Sequence, residues 1–125
     1  MIQAEFRIKK SEDFASAIKL GNVYKNPAFT VHCATNTLQH VRIGISASTK
    51  LGNAVVRNRI RRQVRVMCKE LINFDSNKDV VIIVKKEFLT NDFILNELLL
   101  NKLLGKEEGL LKWKKAKKSV CVAFY

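Results

Sequence analysis

The sequence predicts an α+β fold, a single-domain sandwich in which a small β-sheet packs against helices, one of them rich in arginine. Three observations carry that prediction. Apolar and polar residues alternate through 29–34 and again through 41–48, the period of two of half-buried strands. Apolar residues recur at spacings of three and four through 54–72, the period of an amphipathic helix. DVVIIV (79–84) is a continuous apolar run bounded by charge, as in a strand buried on both faces. At 125 residues the chain suits one domain, 1–125. That length buries roughly two-thirds of the unfolded surface around one core.

The first element is a short helix over KKSEDFASAIKLG (9–21). Ser11 serves as its N-cap, Glu12 and Asp13 lie at the positive end of the dipole, and Gly21 stops it. Phe14, Ala17 and Ile18 then share one side. In the first strand Phe29, Val31 and Cys33 alternate with Thr30, His32 and Ala34, which keeps His32 out of the deep core. A polar turn, NTLQ, leads to a second strand in which Val41, Ile43, Ile45 and Ala47 alternate with Arg42, Gly44, Ser46 and Ser48. The two strands read as a hairpin.

Gly52 and Asn53 break this pattern, and Asn53 is a good N-cap for a helix running to about Ile72. On a wheel of 3.6 residues per turn, Val56, Ile60, Val64, Met67 and Leu71 form one apolar stripe. Arg57, Arg61 and Arg65 flank it, Asn58, Arg62 and Lys69 lie further round, and Arg59 points away from both groups. After the buried strand, TNDFILNELLLNKLL (90–104) reads as a helix capped by Thr90 or Asn91 and covering one side of the sheet. Residues 105–125, basic and then apolar, have no firm place.

The charge is unevenly spread. Residues 14–69 hold ten Lys or Arg and no acid, and so carry +10 of the chain's +12. Self-repulsion on that scale weakens a compact fold unless a polyanion relieves it, which makes nucleic acid the leading partner class, ahead of an acidic membrane surface. The densest part, KLGNAVVRNRIRRQVR (50–65), contains six basic residues, five of them arginine. A merely solvated helix face would intersperse glutamate at i+4. Arginine offers a planar fork that grips phosphate and stacks on bases.

Other function classes find little support. No run approaches the ~20 apolar residues that span a bilayer, and the N-terminal segment has no signal-peptide core, so the expected location is cytoplasmic. Cys33, Cys68 and Cys121 never form a CxxC pair and read as reduced, buried thiols. His32 and His40 have no neighbouring acid or cysteine to complete a metal site. A protein-only nuclease would need paired histidines or metal-holding carboxylates, and no carboxylate lies within the basic stretch. A DNA-binding module and a stand-alone RNA-binding protein remain as rivals built on the same helix. For Ile18 composition favours a place in the core. For Phe14 core and base-stacking readings stay open.

RIGISASTKLGNAVVRNRIRRQVR, with KKSEDFASAIKLG before it, closely resembles the bacterial ribonuclease P protein subunit. Lys50 through Arg65 match every fixed position of that family's K-x-G-N-A-V-x-R-N-R-x-[KR]-R-x-x-R helix. The resemblance covers roughly residues 5–100 and leaves 105–125 as an atypical C-terminal extension. It implies a mixed sheet whose arginine helix crosses between parallel neighbouring strands by a left-handed connection. It also implies a protein that assists a catalytic RNA subunit in removing the 5′ leader of precursor tRNA, with magnesium held mainly by the RNA. No catalytic residue, metal ligand, membrane or small-molecule substrate is implied for the protein. By position, Lys50, Asn53, Arg57, Asn58, Arg59 and Arg62 resemble contacts to the RNA subunit. Phe14, Ile18, His32, Arg57, Arg61 and Arg65 resemble a lining for the leader, in a cleft between the arginine helix and the sheet. Ile18 stands where an aromatic is frequent, His32 where tyrosine is, and Thr49 where lysine is.

Overall fold

The computed structural model describes residues 6–9, 11–107 and 110–111. Its elements are α1 (Ser11–Leu20), β1 (Asn22–Lys25), β2 (Phe29–Thr35), β3 (Arg42–Ser46), α2 (Ala54–Leu71), β4 (Lys78–Val84), α3 (Glu87–Thr90) and α4 (Phe93–Leu104). The strands form one mixed sheet in the order β1-β2-β4-β3. β4 is antiparallel to β2 and parallel to β3.

The expected hairpin between the second and third strands does not form, because β4 lies between them. The reason is burial. Val80, Val81 and Ile82 are solvent-excluded, and a strand apolar on both faces belongs inside a sheet covered from both sides. The polar turn after β2 therefore becomes a bridge over the end of β4. Asn36 donates from its amide to Asp79 Oδ1 (2.8 Å) and to the His40 carbonyl (3.2 Å), and its backbone N–H donates to Asn77 (2.9 Å). Parallel neighbours cannot be joined by a tight turn, and α2 supplies the crossover from β3 to β4.

The two faces of the sheet are occupied differently. Phe29, Val31 and Cys33 of β2, Ile43 of β3 and Val80 and Ile82 of β4 join the α2 stripe, Ile60, Val64, Met67 and Leu71, in the main core. Leu100, Leu103 and Leu104 of α4 complete it. On the opposite face Ala17 of α1, Ile8 and Val81 form a smaller cluster, with Phe14, Ala34 and Ile83 against it. Cys33 and Cys68 are buried free thiols, and burial is the first cause that pushes each up to about 12. Cys121 lies outside the described residues.

Polar anchors fix what the cores leave loose. Arg42 donates to both oxygens of Asp79 (3.0 and 2.7 Å) and to Asp13 of α1 (3.1 Å), pinning α1 across the β3–β4 edge. α1 begins with Ser11 inside the helix, not at its cap. β1, which the alternation pattern did not reveal, follows at once because Gly21 lets the chain pass close to β2. A Cβ there would lie 2.2 Å from the Cys33 carbonyl oxygen. The expected helix over 90–104 is split. α3 ends at Thr90, and α4 starts after Asp92, whose carboxylate accepts from Leu95 N–H (2.8 Å), so Asp92 is the cap and not Thr90 or Asn91.

The segment after α4 belongs to the sandwich. Glu107 is buried and accepts from Lys78 Nζ (2.6 Å), Tyr24 Oη (2.7 Å) and Asn22 Nδ2 (3.4 Å). Leu110 is also buried, its carbonyl accepts from Asn73 N–H (2.8 Å), and Leu111 pairs with Ile72. Residues 112–125, with KWKKAKK, lie outside the described residues.

Two outcomes are expected. Asp79→Asn keeps the shape but leaves the Arg42 guanidinium short of its charge partner, and stability falls by about 2–3 kcal/mol. This is measured as a lower urea midpoint at unchanged slope. For Glu107, burial by itself would raise the carboxyl, but hydrogen bonds from Lys78, Tyr24 and Asn22 outweigh it and hold the group below its ordinary 4.5. A depressed carboxyl contributes stability above its unfolded value and loses it as pH falls through the folded one. Glu107→Gln therefore flattens the stability profile below pH 4.5, and an unchanged slope would show that the ionised form does not support the fold.

Candidate nucleic-acid interface

The interface is organised by the start of α2. Gly52 has a φ of 144°, a conformation that residues with an L side chain rarely adopt, and it turns the chain out of the Thr49–Leu51 helical turn. Buried Leu51 anchors that turn and leaves Lys50 exposed. Asn53, extended at φ −76° and ψ −179°, accepts from Val56 N–H (3.0 Å) and caps α2 as its sequence position predicts.

From this cap the apolar stripe sets the phase of every arginine. With Ile60, Val64, Met67 and Leu71 buried, Asn58, Arg59 and Arg62 are exposed on the outer side, while Arg57, Arg61 and Arg65 are half-buried along one flank. Asn58 accepts from Arg61 Nη1 (2.9 Å), so the amide orients a guanidinium instead of idling in the helix. The Arg57 Nε–H is buried and unpartnered among the described residues. Burial lowers the Arg65 pKa from its ordinary value, and Arg7, Arg61 and Arg62 add like-charge repulsion. No described carboxylate forms an ion pair with an α2 arginine. The described ion pairs are made by Arg42 and Lys78.

Arg65 faces a groove of about 250 Å³ at the outer edge of β3, shared with Ile43, Ile45 and the Arg7–Lys9 segment. Sequence reasoning missed Arg7 and Lys9. The signal available was the basic RIKK before α1, but only the fold brings it beside α2.

Phe14, Ile18 and His32 lie on the opposite face, the α1 side. Phe14 rests over Gly44, where a Cβ would come within 2.4 Å of the ring, so glycine leaves the socket in which the ring sits. Ile18 is 40% exposed, which overturns the core reading. α1 meets the sheet through Ala17 and Phe14, and one turn on, Ile18 projects past its margin. His32 is half-buried in β2, level with Val23 of β1 and Val81 of β4. Its Nδ1 is buried without a partner among the described residues. Burial first, then Lys25, lowers its pKa, so the ring is neutral at pH 7.

The six residues expected to line a leader thus form two groups, an apolar and imidazole group on the α1 face and an arginine row on the α2 flank. Among the described residues no three His, Cys, Asp or Glu side chains gather as metal ligands, and no helix is long and apolar enough to cross a membrane.

The chain as a whole is similar to known proteins. The family model described as Ribonuclease P matches residues 2–108. A ribonuclease P protein component from Streptococcus thermophilus is 36% identical over 85 residues, covering 68% of this chain and 77% of the relative. One from Bacillus mycoides is 46% identical over 82 residues, covering 64% and 71%. The solved structure of the Staphylococcus aureus RNase P protein superposes with a TM-score of 0.74 at 32% identity, covering 83% of this chain and 96% of that one.

Proposed function

The chain belongs to the ribonuclease P protein family, as the protein component that works with a ribonuclease P RNA, and from that premise we propose how it serves tRNA processing. Its substrate is precursor tRNA, from which the ribonucleoprotein removes the 5′ leader by endonucleolytic hydrolysis in the cytoplasm. The RNA subunit carries the chemistry. The protein, one domain over 1–125, contributes affinity, register and neutralisation of phosphate repulsion.

The observation that carries this reading is the division of α2 into two cationic sides. The outer side, Arg59 and Arg62 with Asn58, Lys50 and Asn53 at the helix start, grips the RNA subunit. The flank, Arg57, Arg61 and Arg65, meets the leader, and Arg57 is shared between the two. Half-buried arginines held without carboxylate partners are poised for phosphate, since a guanidinium fork pairs with it bidentately. On the α1 face, Phe14 gives an unpaired base a ring to stack on, with Ile18 and His32 extending the surface.

Magnesium is assigned mainly to the RNA. Asp13 and Asp79 are both committed to Arg42.

The test is reconstitution. At low magnesium, adding the protein to the RNA subunit should restore cleavage of precursor tRNA, and protein that binds RNA without stimulating cleavage would leave only a stand-alone RNA-binding role. Arg61→Ala should weaken precursor binding about tenfold, ~1.4 kcal/mol, and mature-tRNA binding much less. Equal losses in a titration of both RNAs would remove the leader from the α2 flank.

A further inference from the structure

The groove at the outer edge of β3 has a second wall that the α2 reading does not use. The Ile8 N–H donates to the Ile43 carbonyl (2.9 Å), and Arg7 pairs with Ile43 in a parallel bridge. Ile8 is buried against Ala17 and Val81. This pairing fixes the backbone of the segment and leaves the side chains of Arg7 and Lys9 exposed on either side of the buried Ile8. Across the groove stands Arg65, and the floor is Ile43 with half-buried Ile45.

The electrostatics of the pocket are one-sided. Beyond the effect of burial, Arg7 is close enough to Arg65 to lower its pKa alongside Arg61 and Arg62, and among the described residues no carboxylate lines the groove. Three cations brought together on a scaffold with an apolar floor cost the fold repulsion that an anion relieves. The shape is an open trough and not a closed pocket for a small molecule. A polymer whose phosphates meet the rim while its sugars and bases touch the floor suits it better.

We propose that the trough formed by Arg7, Lys9 and Arg65 along the outer edge of β3 is a second single-stranded RNA site, which takes the phosphodiester backbone of the upstream part of the precursor leader. The proposal rests on the leader-binding reading above. Arg57, Arg61 and Arg65 form one row spaced four residues apart on α2, and Arg65, the last of them, is also the wall of the trough. A strand that follows the row from the helix start runs directly into the N-terminal segment. The trough therefore acts only on leaders long enough to pass Arg61.

The experiment uses the reconstituted ribonucleoprotein with precursors whose leaders are about 2 and about 10 nucleotides long, a span that crosses the smallest single-strand site sizes of small domains. The Arg7→Ala/Lys9→Ala double variant should lose affinity for the long-leader precursor about tenfold more than for the short-leader one. Removing two single-strand phosphate contacts should also flatten the log–log salt slope for the long leader by about 1.4. Equal losses for both leaders would move these contacts to the RNA subunit or the tRNA body and overturn the proposal, as would no loss at all. Wild-type protein and Arg61→Ala run in parallel separate the two readings. If Arg61→Ala discriminates precursor from mature tRNA while the double variant shows no length dependence, only the trough falls. If neither discriminates, both readings fall. Thermal melting of the double variant checks the fold, which draws on the Ile8 backbone and not on the two exposed side chains.

Discussion

The fold depends on one constraint: β4 must be covered on both faces. Its central residues are solvent-excluded, which requires strands on both edges and helices above and below. The antiparallel partner is β2, the parallel one is β3, and a parallel neighbour in turn requires a crossover. That crossover is α2, so the demand for buried valine and isoleucine is what lays the arginine helix along the sheet. The same demand draws α1 onto the other face, where Ala17 and Ile8 cover Val81. Arg42 then ties α1 to β4 through Asp13 and Asp79. Two distinct surfaces, the α1 face and the α2 flank on opposite sides of one sheet, follow from the burial of a single strand.

The distribution of charge follows a separate logic. Where cations serve the fold, they are paired. Arg42 has two carboxylates and Lys78 has buried Glu107, whose other acceptor capacity satisfies Tyr24, a phenol thereby pushed up to about 12. Along α2 the acids are withheld, and Asn58 steers Arg61 with a neutral amide that leaves the guanidinium charge uncompensated, where a glutamate would have neutralised it. Unpaired arginines on one helix weaken it by mutual repulsion, and Arg65, lowered first by burial, is lowered further by Arg7 and by its α2 neighbours Arg61 and Arg62. The apolar stripe offsets that cost, since each buried Ile, Val or Leu contributes about 1.5–3 kcal/mol. The helix is held by its core side so that its cationic sides can stay free.

What could be read from the sequence was local or strongly periodic. The α2 stripe, its Asn53 cap and the three azimuths of its basic residues depend only on positions within one helix, and the structure reproduces them. The buried character of β4 was equally plain. Strand pairing was not, because a polar turn of suitable length between two alternating segments says nothing about a third strand thirty residues later that is more apolar than either. β1 escaped because NVYK has too few residues to show a period, and its place comes from the Gly21–Cys33 close approach. The Asp92 cap lost to Thr90 and Asn91 because all three residue types suit the role and only the break after α3 decides between them. Arg7 and Lys9 were visible as charge, but their partner Arg65 lies more than fifty residues away.

On the reading proposed here, the two faces carry unequal shares of the leader's binding. Aromatic stacking is worth about 1–3 kcal/mol per base, and among the described residues the α1 face offers one phenyl ring, Phe14, itself half-buried over Gly44. Ile18 presents apolar area without a π-face, and His32 presents a neutral imidazole with an unfilled Nδ1, better suited to a hydrogen bond than to a broad stack. Binding is thereby shifted towards the arginine flank of α2, where the contact is with phosphate and indifferent to base identity. A leader held mainly through its backbone is held in position without being read. That suits a protein whose substrates share a tRNA body but not the sequence upstream of it.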